Sequence, residues 1–282
     1  MVLFDLSSYW SHRHHHEVSF LWAIHGVHHA AEDFNFAAAL RQPWFQHTFS
    51  WLYRLPLALV MSVEMYIGVV VFDFLYQFVQ HTRYVPKLGP LEWVMNTPSH
   101  HRVHHARDTH YLDKNYGGIL IVWDRLFGTF AEEQEEPQYG VTKPLNSVNP
   151  IWGNLFFYDR LARATSRASG ANKWRLWWEG PEHTDRLAPG APDVPRTPLE
   201  NNQIGALTQT YVLAWWPAIL LGLVALIWFG PEWSLVQRTV VAAAIFATLG
   251  TTAGLLEGRS WARNAEVARA LATPVALGLV FL

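Results

Sequence analysis

Residues 206–229 read ALTQTYVLAWWPAILLGLVALIWF, and the fold class turns on how that run is read. It contains no charged side chain and carries Tyr211, Trp215, Trp216 and Trp228 near its ends. About 20 apolar residues suffice for a helix to cross the hydrocarbon core of a bilayer, with tryptophan and tyrosine at the interfaces. The run is therefore read as a spanning helix. Leu235–Leu256 is a second such segment, and its one charge, Arg238, lies a turn inside the start, where a long side chain reaches back to the headgroups. Leu271–Leu282 is shorter, and is expected to be either a span begun further upstream or an interfacial helix.

Working back along the chain, Leu55–Val79 is apolar apart from Glu64 and Asp73, yet it separates two histidine-rich regions. If those regions build one site they lie on one side of the membrane, so the segment cannot cross an odd number of times. It is too short for two full spans. The expectation is a re-entrant or in-plane hairpin over Trp44–Gln80 with its bend at Gly68. The predicted class is all-α, with integral membrane helices and a cytosolic helical cap that carries the histidines.

Three domains are expected: a catalytic part over 1–157, a polar loop or linker over 158–205, and membrane helices over 206–282. The polar character begins at Ala131 and runs to Asn202, with Pro181, Pro189, Pro192, Pro195 and Pro198 in its second half. Trp174, Trp177 and Trp178 suggest a surface lying on headgroups. Lys and Arg are plentiful in Asp159–Arg196 and again at Arg259, Arg263 and Arg269, and absent from Gly230–Ser234. The basic segments are thus expected on the cytoplasmic side. The opening MVLFDLSSYW lacks the basic region and small-residue site of a signal peptide.

Composition narrows the chemistry. With 21 Lys and Arg against 23 Asp and Glu, the 282-residue chain offers no bulk charge for nucleic acid. Charged residues are 16% of the chain, below the quarter usual in soluble domains, so something besides water solvates its surface. Zero cysteines exclude disulfides, thiolate metal sites and a Cys nucleophile. Any metal here is held by nitrogen or oxygen.

Nitrogen is abundant, because 15 residues are histidine. His12 and His16 are four apart in a segment free of helix breakers, so their rings share a helical face. His25, His28 and His29 follow the spacing HxxHH, and His101, His104 and His105 repeat it. His81 stands alone at the end of the apolar segment. A lone i, i+4 pair is commonly surface decoration, whereas so many buried neutral rings would each need a donor and an acceptor satisfied. Metal ligation accounts for all of them. One four-coordinate ion uses four ligands, so eight or nine imidazoles imply two ions, which nitrogen ligation alone leaves as Fe, Zn or Cu.

The order HxxxH, HxxHH, HxxHH resembles the integral-membrane fatty acid hydroxylase and sterol desaturase superfamily. Tyr9–Arg13 with His16 and Glu17, Ala39–Gln42, Leu75–Gln77 before His81, Asn96–His105, Asp113–Gly118, Trp123–Phe130 and Tyr139–Gly140 are similar in particular to its alkylglycerol monooxygenase branch, over roughly residues 5–157. The resemblance implies two Fe ions held by His12, His16, His25, His28, His29, His81, His101, His104 and His105, with O2 as co-substrate, a lipid substrate in the membrane and a tetrahydropterin as reductant. It implies hydroxylation of the ether-bearing carbon, giving a hemiacetal that separates into aldehyde and glycerol. Branch members carry a transmembrane hairpin before the first box; Asp5 lies five residues from the start here, as in a truncated or short relative. Ala30, Ala31, Ala37 and Ala38 replace side chains that are usually polar in the branch.

Ligating imidazoles normally give their second N–H to a carboxylate or carbonyl. Asp5, Glu17, Glu32, Asp108, Asp113 and Asp124 are the carboxylate candidates, and Asn115 either meets a metal-bound water or holds a turn before Gly117. Arg41 and Arg102 either meet lipid headgroups or pair with these acids. No His–Pro–Gly–Gly motif of a fused cytochrome b5 occurs, so electrons come from a reduced pterin or a separate donor. The rival readings are a fatty acyl or sterol hydroxylase or desaturase with such a donor, a divalent-metal transporter, and a metal-binding lipid carrier without catalysis.

Overall fold

The computed structural model describes residues 1–190 and 204–281. Among these the chain is helical, with two isolated β-bridges and no strand. It divides into two compact units, one of Met1–Leu145 with Asn154–Val194 and one of Asn146–Gly153 with Pro195–Leu282. Residues 191–203 of the expected linker, and Leu282, lie outside the described residues.

In the first unit α1 (Val2–Glu17) has neither Gly nor Pro and stops at Val18, whose extended backbone turns the chain into α2 (Ser19–His29). Asn35 caps the single turn α3 (Phe36–Ala39) by accepting from the amides of Ala37 and Ala38. The apolar hairpin differs from its expected form. Its first arm is α4 (Gln46–Arg54) followed by a 3-10 turn over Leu55–Leu59, and its second arm is α5 (Val63–Gln80). The helical run breaks at Val60 and Met61, and α5 continues unbroken through Gly68. One mid-helix glycine costs only about 1 kcal/mol, whereas Pro56 in the 3-10 turn and Ser62, whose hydroxyl accepts from the Met65 amide, set the break ahead of it.

α5 is inverted relative to a water-soluble helix. Val63, Met65, Ile67, Val71, Phe72, Phe74, Leu75 and Val79 are exposed, while Asp73 and Gln80 are buried. Its length and apolarity are those of a membrane span. Next come α6 (Pro98–His104) and α7 (Val122–Phe127), joined by a loop that two buried carboxylates hold in place. Asp5 accepts from the amides of Ile119 and Leu120 and from Trp123 Nε1, tying the loop to α1. Asp124 accepts from the amides of Tyr116 and Gly117 and from the Thr129 hydroxyl. Gly117 is required there: a Cβ would stand 2.4 Å from the Leu120 carbonyl and 3.0 Å from the Asp124 carboxylate.

The stretch from Ala131 onward, expected as loop or linker, contains α8 (Pro150–Arg167), α9 (Asn172–Trp178) and α10 (Thr184–Leu187). Its polar average hides an apolar stripe. Leu161, Ala164, Ala168, Leu176, Leu187 and Ala188 form a small core with Trp177 against it, while Trp174 and Trp178 remain exposed.

The second unit holds α11 (Ala206–Trp228), α12 (Leu235–Leu256) and α13 (Ala262–Phe281), each long and apolar enough to cross a bilayer. With α5 they make four such helices among the described residues, as an integral membrane protein requires. α12 begins in a reciprocal capping box between Ser234 and Gln237. The short C-terminal segment is a span begun upstream: its helix starts at Ala262 and absorbs Arg263 and Arg269. Arg269 is buried against Glu266 (Nε to Oε2 2.8 Å) and stacks over Trp215 at 4.0 Å; Tyr211 and Thr251 also donate to Glu266.

Candidate metal centre

All nine expected imidazoles converge in the first unit, in two groups. His12, His16, His25, His29 and His104 form one, and His28, His81, His101 and His105 the other, with the facing atoms of each group within 4.8 Å of one another. The helical repeat explains the division. In each HxxHH box the first and last rings are four residues apart and share a face, while the middle ring is turned away by one residue. His25 and His29 therefore face the first group while His28 faces the second; His101 and His105 face the second while His104 crosses to the first. The two boxes interdigitate. His81 enters as the C-cap of α5.

The protons on these rings can be assigned from their partners. His12 Nδ1 lies 2.9 Å from the Tyr116 carbonyl, His25 Nδ1 3.1 Å from Gln46 Oε1, His81 Nδ1 2.8 Å from the Gln77 carbonyl and His104 Nδ1 2.9 Å from the Lys114 carbonyl. A carbonyl oxygen only accepts, so Nδ1 is the donor in each ring and Nε2 presents a lone pair. Burial also keeps the rings neutral, pushing His12 and His81 down to about 4 and His28 to about 3. Yet His12 Nε2 lies 3.1 Å from His25 Nε2, and His25 Nε2 lies 3.0 Å from His29 Nε2. In the second group His81 Nε2 lies 3.2 Å from His101 Nε2.

In the His12–His25 pair both facing atoms are lone pairs, which cannot hydrogen-bond and repel at this distance. A cation between them reverses the sign. Metal–nitrogen bonds of about 2.0–2.1 Å place neighbouring ligand atoms roughly 3.0–3.4 Å apart, which matches the spacings here. His104 Nε2 and His105 Nε2 are buried without a partner, as ligand atoms of an ion would be. The donor set fits a pair of transition-metal ions.

The second N–H groups go mostly to carbonyls, through Tyr116, Lys114, Gln77 and Arg41, whose carbonyl lies 3.3 Å from His28 Nδ1, and through the Gln46 amide. Sequence reasoning missed all five, because a backbone acceptor has no residue-type signature. Gln46 alone carried a trace, as a polar side chain in the arm of an apolar hairpin. Of the carboxylates expected beside the rings, Asp113 comes within 3.7 Å of His16 Nδ1. The others hold backbone or surface: Asp5 and Asp124 brace the 116–123 loop, Asp108 accepts from the Gln138 amide, Glu17 pairs with Arg13, and Glu32 is exposed. These acids follow helix starts and turns, where backbone amides compete for them.

Asn115 holds a turn at φ 55°, donating to the His100 and Ala131 carbonyls and accepting from the Ala131 amide. Arg102 is buried and pairs with Glu133, and Arg41 is largely buried. His14 and His15 face away, onto the Tyr53 hydroxyl and the Ser11 carbonyl.

Two cavities reach the imidazoles and share no lining residue. One, of about 120 Å³, touches His12, His25, His28, His81 and His101 and is walled by Ala39, Gln42, Phe74 and Phe78. The other, of about 230 Å³, touches His16, His29 and His104 and is walled by Trp22, Asp113, Phe157, Arg160, Glu182 and Asp185.

Residues 1–129 match the family model described as fatty acid hydroxylase. The chain is 46% identical over 190 residues to an alkylglycerol monooxygenase of Danio rerio, covering 67% of this chain and 42% of that protein. It is 50% identical over 147 residues to the alkylglycerol monooxygenase of Homo sapiens (52% of this chain, 33% of that protein). It is 31% identical over 134 residues to an ornithine lipid hydroxylase of Rhizobium tropici (46% and 40%). The matched part thus spans less than half the length of these relatives. No solved structure matches the chain.

Proposed function

We propose that this chain, whose residues 1–129 match the fatty acid hydroxylase family model, is a membrane di-iron oxygenase that hydroxylates the ether-bearing carbon of an alkylglycerol. The observation that carries the reading is the pair of imidazole groups, five and four, whose ring nitrogens crowd to 3.0 to 3.2 Å, with the lone pairs of His12 and His25 face to face. Two ions, one per group, would be held by His12, His16, His25, His29 and His104 and by His28, His81, His101 and His105. Similarity to alkylglycerol monooxygenases over 147 to 190 residues supports iron as the metal, an ether lipid as substrate and a tetrahydropterin as electron source.

The iron pair would supply oxygen activation. The overall step balances as one O2 and one tetrahydropterin consumed per C–H bond: one oxygen atom enters the C–H bond, the other leaves as water, and the pterin leaves oxidised by two electrons. The hemiacetal formed then breaks its C–O bond to aldehyde and glycerol. The protein's own part is positioning. The carbonyls of Tyr116, Lys114 and Gln77 fix the ring tautomers, and the cavity beside Phe74 and Phe78 would admit a lipid from the exposed face of α5 and bring its ether-bearing carbon to the centre.

We further assign the histidine-bearing catalytic part to 1–157, a connecting segment that carries its own short helices to 158–205, and membrane helices to 206–282, with the histidine face cytoplasmic. The four membrane-length helices contain no histidine, which favours an oxygenase over a metal transporter, whose ligands would sit within its spans.

Similarity to the ornithine lipid hydroxylase favours a second reading, hydroxylation of an acyl lipid that stays intact and draws electrons from a separate protein donor. Mass spectrometry of membranes given an alkylglycerol, O2 and tetrahydropterin separates the two. Chain-length aldehyde formed only with the pterin supports the first. An intact hydroxylated lipid formed with a ferredoxin or cytochrome and none with the pterin would replace it by the second.

A further inference from the structure

We propose that the cavity between Trp22 and Phe157 is the port through which the reductant reaches the metal pair, separate from the path of the lipid. The inference rests on the oxygenase reading above, with a reduced pterin as electron source, and adds where that molecule docks.

Both cavities carry ionisable side chains, Arg54 and Asp73 in the first, and they differ in the helices that wall them. The first opens beside α5, whose Phe74 and Phe78 line it, and so continues the apolar face that α5 exposes. The second has no wall residue from any of the four membrane-length helices. Five of its wall residues are ionisable beyond the histidines: Asp113, Lys143, Arg160, Glu182 and Asp185. A flat heterocycle rich in N–H donors meets them well, since carboxylates accept from such an edge. Trp22 and Phe157, with ring centroids 5.7 Å apart at 70°, offer one face and one edge to its ring.

The cavity also ends on a particular place. Its three imidazoles, His16, His29 and His104, all belong to the five-ligand group, whereas the first cavity touches both groups. A bound reductant would therefore stand against one metal site while the lipid occupies the other side of the pair. Asp113, 3.7 Å from His16 Nδ1, is the wall carboxylate nearest that metal site and is assigned as the group that accepts from the ligand's edge.

The test plugs each cavity at an exposed rim residue, with Thr142→Trp for the second and Gln42→Trp for the first, and adds Asp113→Asn. The binding of tetrahydropterin to the iron-loaded protein in detergent is followed anaerobically by quenching of tryptophan fluorescence, alongside iron content and the KM for an alkylglycerol. Thr142→Trp and Asp113→Asn are expected to raise the pterin Kd at least about 10-fold with two irons retained and the lipid KM unchanged. Gln42→Trp should raise the lipid KM and leave the pterin Kd alone. An unchanged pterin Kd in Thr142→Trp, or a raised one in Gln42→Trp, would overturn the assignment of the port while the cofactor stands. Wild-type protein that binds no tetrahydropterin would overturn the port and the cofactor together.

Discussion

The two units bury polar groups in opposite ways. In the second, Glu266, Arg269, Thr248 and Thr252 lie in the interior of three apolar helices, and their partners come from the same unit: Arg269 bonds to Glu266 and Thr248, and Thr252 donates to a carbonyl of its own helix. In the first, nine imidazoles are brought together with ring nitrogens 3.0 to 3.2 Å apart and the lone pairs of His12 and His25 facing one another. One interior is complete as folded and the other leaves donor atoms unshared. The difference teaches where to look for chemistry in an apolar chain: a buried charge with a full set of partners holds helices together, and a buried set of unshared donor atoms is a site.

The comparison breaks most visibly if a ligand is removed. His25→Ala should empty the five-imidazole site and His28→Ala the four-imidazole site, each lowering metal per chain from two to one and cutting activity beyond the roughly 100-fold that losses outside the ligand set reach. Metal analysis with spectroscopy of the remaining ion checks this. Identical residual spectra from both variants would mean the boxes do not interdigitate.

Acid should separate the units next. His12, His28 and His81 sit at about 4, 3 and 4 when folded, against about 6.5 for a free imidazole, so the unfolded chain binds more protons below that value. The stability of the metal-free first unit is therefore full above about pH 6.5 and falls as pH drops toward 4, by about 1.4 kcal/mol for each pK unit at each ring. The second unit has no histidine, so hydrogen exchange over this range should rise in residues 1–145 and hold steady in 206–281.

Arg269→Ala inverts the test. It leaves Glu266 buried without its cation, and should cost about 3–5 kcal/mol in the denaturation midpoint of the second unit without changing iron content. The smallest effect is expected at Gln46→Ala, which removes the acceptor that orients His25 and should weaken metal affinity about 10- to 100-fold, measured by chelator competition.

Much of this was legible in the residues, for a physical reason. Spans such as Ala206–Trp228 and ligand pairs such as His12 and His16 depend only on local sequence and the helical repeat. His81 was legible from its place at the end of an apolar run. What escaped depends on contacts distant in sequence. Nothing around His28 says that its ring joins His81 and His101 rather than its neighbours His25 and His29, because that requires knowing how α2 sits against α6. The bend expected at Gly68 gives way to a break at Val60 and Met61, since a capping serine outweighs a permissive glycine. The stretch beyond Ala131 looked like linker because its helices are short and only one stripe of each is apolar.

Asp5 also sets an order of events during synthesis. Its partners Ile119, Leu120 and Trp123 lie 114 to 118 residues further along the chain. At about 5–20 residues per second the ribosome delivers Trp123 roughly 6–24 s after Asp5. For that interval α1 has no loop to brace it, and His12 and His16 have no third box to face. The first helix of the metal centre is thus made early and seated late, and a nascent chain stalled before residue 101 exposes six chelating side chains to whatever cation the ribosome's surroundings supply.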